Sequence, residues 1–113
     1  MMQVDSLRVN APAGMKRGRA VTMTHSTQTV AYTAAAAAGD YISISEEENG
    51  VISIKKLSTF TGKLFAEAGG TVTVGSDLEV VGTEGKFVNK SAGVAVVKAG
   101  ISGASGLFIS IYN

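Results

Sequence analysis

At 113 residues the chain allows one domain: by area scaling its folded surface is about 5,800 Å², with roughly two-thirds of the unfolded chain's surface buried, and a single core is expected. Ten Lys and Arg stand against nine Asp and Glu, so no global field draws the protein to nucleic acid or to an anionic membrane, and neither partner is favoured. The absence of cysteine excludes disulfides, thiolate zinc sites and thiol nucleophiles, and leaves stability to packing and oligomerisation.

Fourteen glycines and one proline, with Val, Ile, Thr and Ser prominent, point to strands joined by tight turns and therefore to an all-β domain. The opening Met1-Met2-Gln3-Val4-Asp5 lacks the basic and apolar regions of a signal peptide. No apolar run reaches the ~20 residues of a membrane helix, so synthesis and folding in the cytoplasm are expected. Leu7-Arg8-Val9 has strand character, and Pro12 and Gly14 make the following segment a turn or an irregular lead-in. Residues 1 to 17 are read as an N-terminal arm or lead-in, and residues 18 to 113 as the β-rich domain. The basic cluster Lys16, Arg17, Arg19 reads as solvated surface.

Gly18 to Thr24 and Gln28 to Tyr32 read as strands around the polar turn His25-Ser26-Thr27, with a glycine and apolar-pair placement that returns weakly in Gly75 to Val80 and Gly85 to Val88. The five alanines Ala34 to Ala38 are too short to hold a helix alone and form a compact connector or one helical turn. Asp40 to Ser45 and Val51 to Lys55 form a hairpin. A two-residue Asn49-Gly50 loop would set Ile44 opposite Lys55, whereas a three-residue loop, Glu48-Asn49-Gly50, sets Ile44 opposite Ile54 and is preferred.

In Lys56 to Gly70, the residues Leu57, Phe60, Leu64 and Phe65 can line one face of a short helix around 57 to 68, although Gly62 and the threonines weaken it; a loop packed over the sheet is the alternative. Thr71 to Val74 is a short strand. Leu78 to Val81 and Lys86 to Val88 flank Gly82-Thr83-Glu84-Gly85 as a hairpin, and a Thr83-Glu84 loop places Val80 opposite Phe87. Gly93 to Val97 is a run of small and β-branched residues. Leu107 to Tyr112 alternates, with Phe108 and Ser110 on one face and Leu107, Ile109 and Ile111 on the other, and its pairing is expected to tie down the terminus.

No catalytic constellation emerges. His25, the single imidazole, has serine and threonine neighbours but neither an orienting carboxylate nor an oxyanion hole is signalled, so a small hydrolase is the weakest reading. Glu46-Glu47-Glu48 lacks the alternating ligands of a calcium loop and reads as the charged tip of a hairpin. Gly100 to Gly106 lacks the order of a phosphate-binding loop and leads into a strand, so it reads as a flexible turn. An enzyme is not expected, and no cofactor or metal is implied. Function is then expected in surfaces and assembly.

The order of motifs resembles the small head-decoration, or capsid cement, proteins of tailed bacteriophages. Asn10 to Gly14 followed by Gly18-Arg19-Ala20-Val21 looks like the opening of that family. Gly75 to Val81, Gly85 to Val88, Gly93 to Val96, Ala99 to Gly106 and Leu107 to Tyr112 follow its closing order. The Ala34 to Gly39 run and the Tyr41 to Ile54 hairpin also have counterparts there. The resemblance spans residues 7 to 112 and departs over Leu57 to Gly70, which is longer than expected.

What the resemblance implies is a β-sandwich or barrel-like protein on the outer surface of the mature virion head, clamping neighbouring copies of the major capsid protein, usually as a homotrimer and sometimes as a dimer. On that reading Met1, Met2, Val4, Leu7 and Met15 are the candidate capsid-binding residues of the arm, and Phe60, Leu64 and Phe65 the candidate oligomer interface. The reading from another class is a β-rich carbohydrate-binding or adhesive module, which would want a shallow aromatic face and lacks tryptophan.

Overall fold

The structure, a computed structural model, describes residues 6–113, and among these there are strands but no helix. In chain order the strands are β1 (Ser6–Asn10), β2 (Ala20–Thr24), β3 (Thr29–Tyr32), β4 (Tyr41–Ser43), β5 (Val51–Lys56), β6 (Leu64–Glu67), β7 (Asp77–Val81), β8 (Lys86–Asn89), β9 (Val97–Ala99) and β10 (Phe108–Tyr112). The first five close into a barrel in the order β1-β3-β2-β4-β5, and the last five form a sheet in the order β6-β10-β9-β7-β8. The expected all-β, barrel-like domain is what the chain forms.

The two late hairpin strands pair as their sequence indicates, with Val80 opposite Phe87 and Val81 opposite Lys86. The terminus is held as expected, since β10 lies between β6 and β9. In β10, Ile109 and Ile111 face the core and Phe108 faces out, the period-2 pattern of a strand half buried against a sheet. The alanine run is a connector with a turn at Ala34 to Ala37, and its Ala36 N–H donates to the Val80 carbonyl at 2.8 Å, tying the barrel to the second sheet.

The β4–β5 hairpin corrects the expected register. Its tip is the two-residue Asn49-Gly50 turn, both residues left-handed (φ 54° and 83°), flanked by the Glu48–Val51 bridge. Yet Ser43 stands opposite Ile54, and Ile44 N donates to Ser53 O, so Ile44 meets neither Lys55 nor Ile54. Residues 45 to 47 bulge against Ile52 alone. They do so because Glu47 is drawn to the preceding loop: its N–H donates to Met15 O at 3.0 Å and its carboxylate accepts from Gly14 N at 3.0 Å.

The short helix around 57 to 68 is also overturned. Leu57 and Phe60 enter the core from a turn, while Leu64 to Glu67 is strand β6, whose Leu64, Ala66 and Phe65 alternate across the sheet. Period 2 rather than 3.6 governs this stretch because β10 supplies a backbone to pair with. Thr71 to Val74 is reduced to the single Val72–Gly103 bridge. In Gly93 to Val97 only Val97 belongs to a strand, β9, because Val94 N is spent on Ala36 O in the connector.

The accessible surface, 6152 Å², is near the scaling expectation, yet the apolar interior is not the single core expected. One cluster lies inside the barrel and includes Val9, Met15, Val21, Val30, Ile52 and Ile54. The other lies under the second sheet, includes Leu78, Val80, Phe87, Ile109 and Ile111, and takes Ala20 and Ile42 from the barrel. A closed barrel explains the division: Val21 and Tyr41 point inward, and their neighbours Ala20 and Ile42 must point outward. That outward face is covered by the second sheet.

Gly85 marks a close approach of the two halves. Its carbonyl accepts from Ala20 N at 2.8 Å, and a Cβ there would run into the Ala20 carbonyl oxygen. Gly85→Ala is therefore expected to cost clearly more than Gly82→Ala, which shares the left-handed backbone (φ 74°) in open space and should cost about 1 kcal/mol. Urea unfolding of the two variants decides this, and equal losses would show that the halves do not need that contact.

Candidate functional site

The segment Arg17 to Ala20 lies between the two halves, and the candidate site grows from it. Gly18 N donates to Ser43 O at 2.7 Å, and Gly18 O accepts from Glu67 N at 2.9 Å, so one residue joins the end of β4 to the end of β6. A side chain at Gly18 would meet Phe108 and the β6 backbone. Arg19, read from sequence as solvated surface, is in fact buried, with its side chain only 7% exposed. Its Nη2 donates to Glu67 Oε1 at 2.9 Å and its Nη1 to Glu84 O at 3.1 Å, while Lys86 Nζ lies 3.2 Å from Glu67 Oε2. The guanidinium also lies 5.7 Å from the Tyr32 ring centroid.

Burial pushes the Glu67 carboxyl up, but hydrogen bonds and charge from Arg19 and Lys86 outweigh it and hold the group below its ordinary value of 4.5. Glu47 is likewise held low, by the Gly14 and Gly50 N–H groups. The acidic run is therefore more than a charged hairpin tip. Glu46 also accepts from Arg17 N at 2.6 Å, so the run anchors residues 14 to 17.

Where Gly18 ends, a groove of about 420 Å³ opens between the end of β4 and the start of β6. Arg17, Ile44, Lys63, Leu64, Phe65 and Phe108 line it. Phe65 is 66% exposed and Phe108 41%, and they share the outer face of β6 and β10, because Glu67 pairs with Phe108 and Ser110 with Phe65. The Arg17 guanidinium sits 5.0 Å from the Phe108 ring centroid, a cation–π contact that holds the charge at the groove's rim. The site can grip an apolar chain and attract negative charge. Its lining hydroxyl, Ser43 Oγ, donates to Lys16 O at 2.7 Å.

The residues singled out in the sequence scatter. Met1, Met2 and Val4 lie outside the described residues. Leu7 is in β1 and exposed, but Met15 is in the barrel core, 3% exposed, and β1 is itself a barrel strand pairing with β5 over its whole length. Over residues 6 to 17 the chain is thus part of the folded body and not a separate arm. Phe60 is buried in the other core and is not available to a partner, whereas Leu64 and Phe65 line the groove. Arg17, Ile44, Lys63 and Phe108 were missed, although the alternation of β10 already placed Phe108 opposite the buried isoleucines. His25 is exposed in the β2–β3 turn and takes part in no hydrogen bond among the described residues, which also contain no cluster of potential metal ligands.

No protein-family model and no curated protein matches the chain. Among solved structures it is similar to the head fibre gp8.5 N base of bacteriophage phi29. The TM-score is 0.74 over 94% of this chain and 90% of that one, with 16% identity. This is a likeness of fold.

Because the Glu67 carboxyl is lowered in the folded state, its contribution to stability is fully present above pH about 4.5 and is lost as the pH falls through the lowered value. Glu67→Gln is expected to reduce stability at neutral pH and to flatten its fall on acidification. Denaturant midpoints measured between pH 7 and pH 3 test this, and an unchanged acid slope would contradict it.

Proposed function

We propose that the chain is a structural protein of a bacteriophage head. On this reading it seats on the outer surface of the expanded capsid and stabilises the shell by bridging neighbouring major capsid subunits, as a symmetric oligomer that is trimeric at local three-fold positions. The observation that carries the proposal is the agreement of fold, over nearly the whole chain, with a domain described as the base of a phage head fibre. The motif order from residue 7 to residue 112, which resembles the capsid cement family, supports it independently.

The physical form is suited to such a role. The body is a plate of 34 × 34 × 21 Å, with a large face for its mass. Its two sheets are fastened by main-chain hydrogen bonds and a neutral charge cluster, so a load on one is carried to the other. A symmetric oligomer touching several capsid subunits gains by effective concentration even where each contact is weak. Leu7 and Phe65, contact residues on this reading, are exposed.

Co-sedimentation with shells of the encoding phage that lack the protein tests the proposal. Saturable binding to expanded shells, absent from unexpanded ones and at the stoichiometry of local three-fold sites, is expected. No binding to either shell would contradict it.

A further inference from the structure

The edge of β6 carries information that its fold alone does not use. Ala68 N donates to Leu107 O at 2.9 Å, which makes Ala68, Ala66 and Leu64 the hydrogen-bonded partners of β10 and its approach. Glu67 and Phe65 therefore turn their main-chain groups away from β10. Glu67 N is taken by Gly18 O. For the N–H and C=O of Phe65 no partner exists among the described residues. The opposite edge of the same sheet is covered: Phe87 O accepts from Gly69 N at 2.8 Å, and Asn89 N donates to Thr71 O at 3.1 Å. An open strand edge beside a largely exposed phenylalanine is a feature that folded proteins normally cover or charge.

The groove lies along this open edge. Apolar walls from Ile44, Leu64, Phe65 and Phe108 stand beside the main-chain groups, and Arg17 and Lys63 are its charged lining residues, both positive. We propose that this groove receives an extended segment of a partner protein in which apolar residues alternate with acidic ones, and that the segment adds to β6 as a further strand. Alternation follows from strand geometry: one set of side chains enters the apolar groove and the other meets the two cations. Self-association through the same edge would bring Arg17 and Lys63 of each copy together, so charge favours an acidic partner over a second copy. The groove would act in this way whether or not the chain belongs to a phage head. If it does, the segment belongs to a head protein.

The test uses the full chain and an eight-residue, end-blocked peptide of alternating Val and Glu. Fluorescence polarisation should show saturable binding, with slowed hydrogen exchange at the Phe65 amide. The matching Val and Lys peptide should bind at least about tenfold more weakly, since two exposed attractions become repulsions. The double variant Arg17→Glu, Lys63→Glu should reverse that order. Methylating alternate peptide nitrogens should abolish binding, which separates strand addition from simple apolar adhesion. Absence of saturable binding by the Val and Glu peptide, or equal affinity for both peptides, would overturn the proposal. So would a doubled solution mass of the protein alone with the Phe65 amide already protected, which would assign the edge to a second copy.

Discussion

Residues 18 to 20 belong to both halves of the molecule, and the rest of the structure depends on that sharing. Gly18 bonds to β4 on one side and to β6 on the other, Ala20 bonds to the β7–β8 turn, and Arg19 between them places its charge inside the junction. A buried guanidinium would be costly alone. Here Arg19 and Lys86 face Glu67 and Glu84, so the cluster is neutral, and its most buried members have the shortest contact. Among the buried side-chain nitrogen and oxygen atoms of the described residues, Arg19 Nε alone lacks a hydrogen-bond partner. The charge cluster gives the junction a unique register, and the apolar contact of Ala20 and Ile42 with the second sheet supplies its area.

The same junction creates the candidate site. Because Gly18 fills the space between β4 and β6 only as far as Glu67, the two strands part beyond it and leave a groove along an open edge. A rigid, doubly fastened plate with one unfinished edge is a form suited to joining other chains. The two carboxyls held below their ordinary value, Glu67 and Glu47, are both engaged in structural contacts.

Much of this was legible in the residues, and where it was not the reason is a contact distant in sequence. The β7–β8 pairing and the faces of β10 follow from alternation and glycine turns, which are local signals. The β4–β5 register was hidden because Glu47 answers to Gly14 and Met15 rather than to its own hairpin. Leu57 to Glu67 carries apolar spacing compatible with a helix, and only the presence of β10 as a partner decides for a strand. Met15 and Arg19 sit among glycine, lysine and arginine, a context that suggests solvent. Their burial depends on a barrel and a second sheet assembled from residues far along the chain. The groove itself belongs to no stretch of sequence, since Arg17, Ile44, Phe65 and Phe108 come from four separate segments.

The most direct measurement of the proposed role is an electron cryomicroscopy reconstruction of mature heads of a phage that encodes this chain, at a resolution that separates strands. The account predicts the two-sheet body on the outer surface of the shell, with its β6–β10 face turned toward a neighbouring protein and an added strand lying beside Phe65. A head without the body, or a body whose Phe65 and Phe108 face open solvent, would contradict it.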